Sequence, residues 1–186
     1  TWFDNRVENP VSNVTLSAVG AGVTQQRQNL GRTRIRGLQN DVELRVGSSW
    51  RISGGYLFNR ATVAAFAANP GLVGKFLPQV PRHRGSVRVA YANARYVTAA
   101  LGVQFIGTQF DDDLNARAVP GRSQAGLPGY AVADVTLSRA LHRNLDMFFG
   151  VQNLFDREYI VGTLPTTIGS PRLINGGVRI RFAGRS

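Results

Sequence analysis

Apolar and polar side chains alternate with a period of two in segment after segment of this chain, and that feature most limits what it can fold into. In "GSVRVAY", Val87, Val89 and Tyr91 share one face against Ser86, Arg88 and Ala90. "YVTAALGVQF" sets Val97, Ala99, Leu101, Val103 and Phe105 against Thr98, Ala100, Gly102 and Gln104. "VELRV", "ADVTL" and "LDMFFGV" repeat the pattern, and in the tail Ile174, Gly176, Val178, Ile180 and Phe182 oppose Asn175, Gly177, Arg179 and Arg181. Side chains of a strand point to opposite faces in turn, so such runs are strands with one apolar and one polar face. Helical periodicity is nearly absent. The pattern predicts eight strands, near residues 1–9, 30–46, 49–66, 82–92, 95–111, 129–141, 144–160 and 172–183. Ile35 is out of phase with Val42, Leu44 and Val46, which predicts a bulge near Gly37 or a strand top that has already left the apolar layer.

Connections alternate in length. Gly47-Ser48-Ser49, Asn93-Ala94-Arg95 and His142-Arg143-Asn144 are tight turns, whereas 10–29, 67–81, 112–128 and 161–171 are long loops rich in turn-forming residues. No run of eighteen apolar residues exists, which excludes a transmembrane helix. A transmembrane strand needs only about ten residues, half of them apolar. Short turns at one end and long loops at the other are the pattern of an up-and-down β-barrel wall in an outer membrane. Aromatic residues point the same way. With the tight turns at the periplasmic end, Trp2, Trp50, Tyr91, Tyr96 and Phe182 are expected near the lower strand ends, and Phe66, Phe110, Tyr130 and Tyr159 near the upper ends, as two girdles at the headgroup levels.

The formal net charge is +11, and Lys75 is the only lysine. The positive charge is therefore arginine, scattered singly along the chain, which argues against a basic tail or helix for nucleic acid. An arginine pointing into lipid at mid-bilayer costs about 2–4 kcal/mol, so parity puts Arg45, Arg51, Arg88, Arg179 and Arg181 inside with Glu43, Asp134 and Asp146. Pairing with carboxylates of adjacent strands is their expected role. The absence of cysteine excludes a disulfide framework and thiolate metal sites. The opening "TWFDNRVENP" has neither an initiator Met nor a charged-then-apolar leader and reads as a piece of a longer chain.

The stretch "NLFDREYIVGTLPTTIGSPRLINGGVRIRF" (residues 153–182) resembles the C-terminal end of TonB-dependent outer-membrane receptors. The family's V-x-N-L-F-D-x-x-Y segment matches Val151, Asn153, Leu154, Phe155, Asp156 and Tyr159 and is expected to rise on the penultimate strand. Its Gly-x-Pro-Arg corner matches Gly169, Pro171 and Arg172, and its closing strand matches Gly177, Val178, Ile180 and Phe182. Upstream, "NLGRTRIRGLQNDVEL", "GGYLFNRATV" and "LPQVPRHRGSV" are similar to family segments in the same order. Gln39 stands where the family places Glu, and "AGRS" follows Phe182, so the aromatic is not terminal. The resemblance implies an all-β fold, an antiparallel transmembrane barrel wall of about eight strands within a barrel of about 22. On that reading residues 1–186 are the C-terminal part of the barrel, and the plug domain lies outside them.

What such receptors do gives the remaining expectations. The resemblance implies TonB-dependent uptake of a scarce nutrient, foremost a ferric siderophore, with vitamin B12 or another chelate as alternatives. Its partners would be the outer-membrane lipid bilayer, the plug and remaining barrel strands, the inner-membrane TonB energy-coupling complex, the outer-membrane assembly machinery and the iron chelate. Arg82, His83 and Arg84 could present cationic donors to an anionic chelate, or serve only as a strand top bonded to its neighbours and to lipid phosphates. Asp111, Asp112 and Asp113 could hold a divalent cation, but a solvated acidic loop base is the preferred reading. His83 and His142 lie on different strands at opposite ends and cannot share a metal. No catalytic, cofactor-binding or metal residue is assigned, since no motif for any of them is present. The competing readings are a complete eight-stranded outer-membrane barrel with a structural or adhesion role, and a soluble basic β-protein that binds nucleic acid.

Overall fold

The computed structural model describes residues 1–19, 22–93, 95–163 and 165–182. Ala94 of the second tight turn, Gly20, Ala21 and Leu164 of the long loops, and the "AGRS" tail lie outside them. The main sheet contains β1 (Trp2–Glu8), β4 (Arg32–Val46), β5 (Trp50–Ala65), β6 (His83–Asn93), β7 (Val97–Ile106), β8 (Tyr130–His142), β9 (Leu145–Gln152) and β12 (Leu173–Ile180). These eight strands run in chain order, each antiparallel to the next, with β1 and β12 at the two edges. Among the described residues the wall is therefore an open sheet, not the closed eight-stranded barrel of the competing reading.

Register explains why the alternation was so regular. One cross-strand row runs Val42, Gly54, Val87, Val103 and Ala133, and the next runs Leu44, Ile52, Val89, Leu101, Val135, Val151 and Ile174. Both rows lie on one face, and Val42, Leu44, Val87, Leu101, Val103, Ile174 and Val178 are all exposed on it. A sheet whose large aliphatic side chains are turned outward has its apolar face prepared for hydrocarbon. The other face carries Glu43, Ser53, Arg88, Gly102 and Asp134 in one row. There Arg45 and Arg51 both reach Glu43, at 3.4 and 3.6 Å, and Arg181 pairs with Asp146. Of the five inward arginines, Arg51 and Arg181 meet carboxylates of an adjacent strand as expected, Arg45 meets Glu43 of its own strand, and among the described residues Arg88 and Arg179 make no salt bridge.

The long connections, expected as loops, hold further regular structure. Two hairpins stand beyond the wall: β2 (Val11–Val19) with β3 (Gly22–Asn29), and β10 (Ile160–Thr163) with β11 (Thr166–Ile168). The segments 10–29 and 161–171 are thus mostly paired strand. A short 3-10 turn, Pro70–Leu72, is capped by the Asn69 side chain, which accepts from the Gly71 amide at 3.2 Å. Val14, Leu30, Val63, Phe66 and Leu72 form a small dry cluster, with Leu77 and Leu114 against it. Val63 belongs to the polar-face parity of β5, so this cluster fills the inner side of the wall at its loop end.

Several positions depart from the sequence-based expectations. No bulge occurs near Gly37, because β4 and β5 keep one register from Thr33 to Val46. Ile35 instead takes the inner face, opposite Ala61, close to the dry cluster. Trp2 is at the lower end of its own short strand but not of the wall: it pairs with Leu38, and Leu38 with Phe58, which places it just above mid-height. Phe66 is buried in the loop-end cluster and so belongs to no girdle. The lower girdle keeps Trp50 and Tyr91, directly opposed with ring centroids 4.8 Å apart. Two outer rows, Phe58 with His83 and Tyr56 with Phe105, carry the upper aromatic surface instead, while Tyr130 faces inward in the row of Arg84 and Ile106 and belongs to no outer girdle.

Candidate functional site at the loop end

The penultimate strand stops at Gln152, eight residues short of its expected end, and the Asn-Leu-Phe-Asp segment is a corner rather than a strand. Asn153 and Asp156 have φ of 49° and 52°, a left-handed conformation that Asn and Asp tolerate better than most residues. Asn153 is buried and ties the corner together. Its amide donates to Asp134 Oδ1 at 2.9 Å, its Nδ2 donates to the carbonyls of Arg157 and Ser170, and its Oδ1 accepts from the Arg157 amide. Asp156 Oδ1 then accepts from the Arg172 amide at 3.0 Å, fixing the start of β12. The ring of Tyr159 stacks on Tyr130 at 4.2 Å. A Cβ on Gly169 would lie 2.0 Å from that ring, so the second half of the motif depends on a glycine. Leu154 donates its amide to the Ala133 carbonyl, while Phe155 is exposed. The resemblance-bearing residues of 153–172 are therefore an architectural knot that turns the chain between two neighbouring strands.

Asp111, Asp112 and Asp113 are buried, not solvated. Each carboxylate grips a different part of the loop end. Asp113 accepts from the Thr15 hydroxyl at 2.6 Å and the Thr15 amide at 2.9 Å, in β2. Asp111 accepts from Gln79 Nε2 at 2.9 Å and from the amide and hydroxyl of Thr163, in β10. Asp112 accepts from the amides of Ala116 and Arg117 in its own loop. Every oxygen of the three carboxylates is thus engaged by the chain itself, and their geometry is that of a clasp between loops. Among the described residues no cluster of three His, Asp or Glu side chains has the geometry of a metal site.

The Arg82-His83-Arg84 trio is split by strand parity. Arg84 faces inward, in one row with Ile106 and Tyr130. His83 faces outward, where its Nδ1 lies 2.8 Å from the Tyr56 hydroxyl. The Arg82 guanidinium lies 5.1 Å from the centre of the Phe76 ring. Only Arg84 of the three is placed to meet anything inside the wall. Alternation could have separated His83 from Arg84. It would have grouped Arg82 with Arg84, but Arg82 precedes β6 and escapes its parity.

A two-faced wall of this kind, with long loops gathered at one end, is the wall of a transmembrane β-barrel. Residues 1–154 match the family model described as TonB dependent receptor-like, beta-barrel. The chain belongs to the TonB-dependent receptor β-barrel family, whose members are receptors and not enzymes. Among curated proteins it is 29% identical over 132 residues to the catecholate siderophore receptor Fiu of Escherichia coli K12, covering 70% of this chain and 17% of Fiu. It is 24% identical over 136 residues to the probable TonB-dependent receptor BfrD of Bordetella pertussis, covering 72% of this chain and 18% of BfrD. The chain thus spans about a sixth of these relatives' length. The closed-form crystal structure of Fiu superposes with a TM-score of 0.71 at 25% identity, over 97% of this chain and 24% of Fiu. The siderophore receptor PiuA of Acinetobacter baumannii superposes with a TM-score of 0.73 at 16% identity, over 96% and 25% of the two chains, a likeness of fold.

Proposed function

We propose that residues 1–186 are the C-terminal part of the barrel of a TonB-dependent receptor in the outer membrane of a Gram-negative bacterium, and that the receptor imports a ferric siderophore of the catecholate type. The observation that carries this reading is the match to Fiu over most of the chain, at 29% identity. The wall contributes what a passage needs from this portion: a polar inner face and loops held in fixed positions by the aspartate clasp. Arg84 and the stacked Tyr130 and Tyr159 offer an anionic aromatic chelate a guanidinium and aromatic surface near the loop end. The plug and the remaining strands, the TonB complex and the outer-membrane assembly machinery are the partners of the whole receptor.

Deletion of the gene, followed by radio-iron uptake under iron limitation, tests the proposal. Uptake from a ferric tris-catecholate is expected to fall, and the full-length gene is expected to restore it. Unchanged catecholate uptake with loss of radio-iron uptake from a non-catecholate chelate, or of radiolabelled vitamin B12 uptake, would reassign the ligand.

A further inference from the structure

Two arginines converge on one aromatic ring on the outer face of the wall, and among the described residues neither makes a salt bridge. The guanidiniums of Arg60 and Arg82 lie 5.8 and 5.1 Å from the centre of the Phe76 ring. Phe76 bridges to Thr62, whose parity on β5 is that of Tyr56 and Phe58, so the ring belongs to the apolar side. It is held in place. Asn115 accepts from the Phe76 amide at 2.7 Å and donates to the Phe76 carbonyl at 2.9 Å, and Phe110 stacks on the ring at 5.7 Å. Arg36 pairs in register with Arg60, which brings a third guanidinium to the same face. Arg32 and Arg34 pair with Glu8 and Asp4. Asp4 also stands opposite Arg36 in register, but both its carboxylate oxygens are taken by Arg34, and among the described residues Arg36, Arg60 and Arg82 make no salt bridge.

Height decides what these groups meet. Arg60 stands ten residues above Trp50 on one strand. At about 3.3 Å per residue and a tilt of about 40°, that is roughly 25 Å along the bilayer normal, about the height of a barrel's apolar band. The two rows beneath hold Leu38 with Phe58 and Tyr56 with Phe105, and the row above holds Arg36 and Arg60, with Asp4 at its β1 edge. A ligand matching both levels carries acyl chains below and negative charge above.

We propose that Arg36, Arg60 and Arg82, set around Phe76, bind the phosphate of an anionic lipid in the outer leaflet. Guanidiniums engage phosphate oxygens two at a time, and like charges held close together are relieved by an anion between them. The proposal rests on the apolar face being the lipid face, and it extends the receptor reading from the lumen to the outside of the barrel.

The test uses the full-length protein in phosphatidylcholine nanodiscs containing diphosphoryl lipid A, with retained lipid counted by native mass spectrometry after mild detergent extraction. At about 1 kcal/mol per arginine near a charged surface, R60Q/R82Q is expected to weaken lipid A retention on the order of 30-fold and R82Q alone about fivefold. The inner-face R88Q is expected to retain lipid A as the parent does. Heat-modifiable gel migration reports whether each variant is folded, and R82Q serves if the double variant is not. Equal retention by parent and folded R60Q/R82Q or R82Q would overturn the proposal, as would displacement of lipid A by equimolar inorganic phosphate, which would point to a free-phosphate site. Failure of the parent to insert into nanodiscs would instead overturn the membrane reading beneath it.

Discussion

Val103 and Gly102 are neighbours in β7 that face opposite media: Val103 sits in the outer row with Val87 and Ala133, and Gly102 in the inner row with Arg88 and Asp134. A Cβ on Gly102 would meet nothing within 4 Å. Val103→Arg is therefore expected to destabilise the folded barrel by about 2–4 kcal/mol, while Gly102→Arg is expected to change it far less. Urea titration of folding into lipid vesicles measures both, and equal penalties would contradict the assignment of faces.

The corner residue gives a second expectation. Asn153→Ala removes three side-chain hydrogen bonds at a buried site and puts a β-carbon with no compensating polar group in the left-handed region. Destabilisation of about 2–4 kcal/mol is expected. The temperature at which the heat-modifiable band converts reads it. Asn153→Asp retains the acceptor for the Arg157 amide but loses both donors, so it is expected to recover only part of the loss.

The aspartate clasp separates the loops experimentally. Asp113→Asn keeps size but exchanges one acceptor oxygen for a donor facing the Thr15 amide or hydroxyl. Amides of β2 and β3 are expected to exchange with deuterium about tenfold faster, with the inner rows of the main sheet unchanged. Asp111→Asn is expected to act in the same way on β10 and β11 through Thr163. If either change loosened both hairpins equally, the three carboxylates would not be acting as separate ties.

Close approach of aromatic rings to glycine supplies a fourth test. A Cβ on Gly85 would lie 2.4 Å from the Phe105 ring and 3.1 Å from the Gly55 carbonyl oxygen. Gly85→Ala is expected to cost about 1–3 kcal/mol, and adding Phe105→Leu to relieve part of that cost. A double-mutant cycle by urea titration checks the coupling.

Alternation and turn length were enough to place the eight wall strands, because each strand lies between oil and water and must keep its parity. The hairpin of β2 and β3 was only half legible: Val14, Leu16 and Ala18 of β2 do alternate with Asn13, Thr15 and Ser17, but "VTQQRQN" of its partner β3 has no apolar face to betray a strand. The corner at Asn153 was hidden for a different reason. "LFDREYI" continues to read as an aromatic strand, and only Asn153 and Asp156, both tolerant of positive φ, signal the turn. Trp2 was misplaced because height depends on pairing register, which a single strand does not contain: its partner Leu38 lies eight residues above the turn-side end of β4. The burial of Asp111 to Asp113 depends on Thr15, Gln79 and Thr163, partners up to 98 residues away that no local pattern announces.

The unbroken register of β4 against β5 from Thr33 to Val46 has a consequence for how such a gene can change. Inserting or deleting one codon within that stretch would carry Glu43 and Arg45 into hydrocarbon and Val42 and Leu44 toward the water-filled side. Length variation is thereby confined to the hairpins and turns, while the wall between them diverges by exchange of one side chain for another of the same polarity.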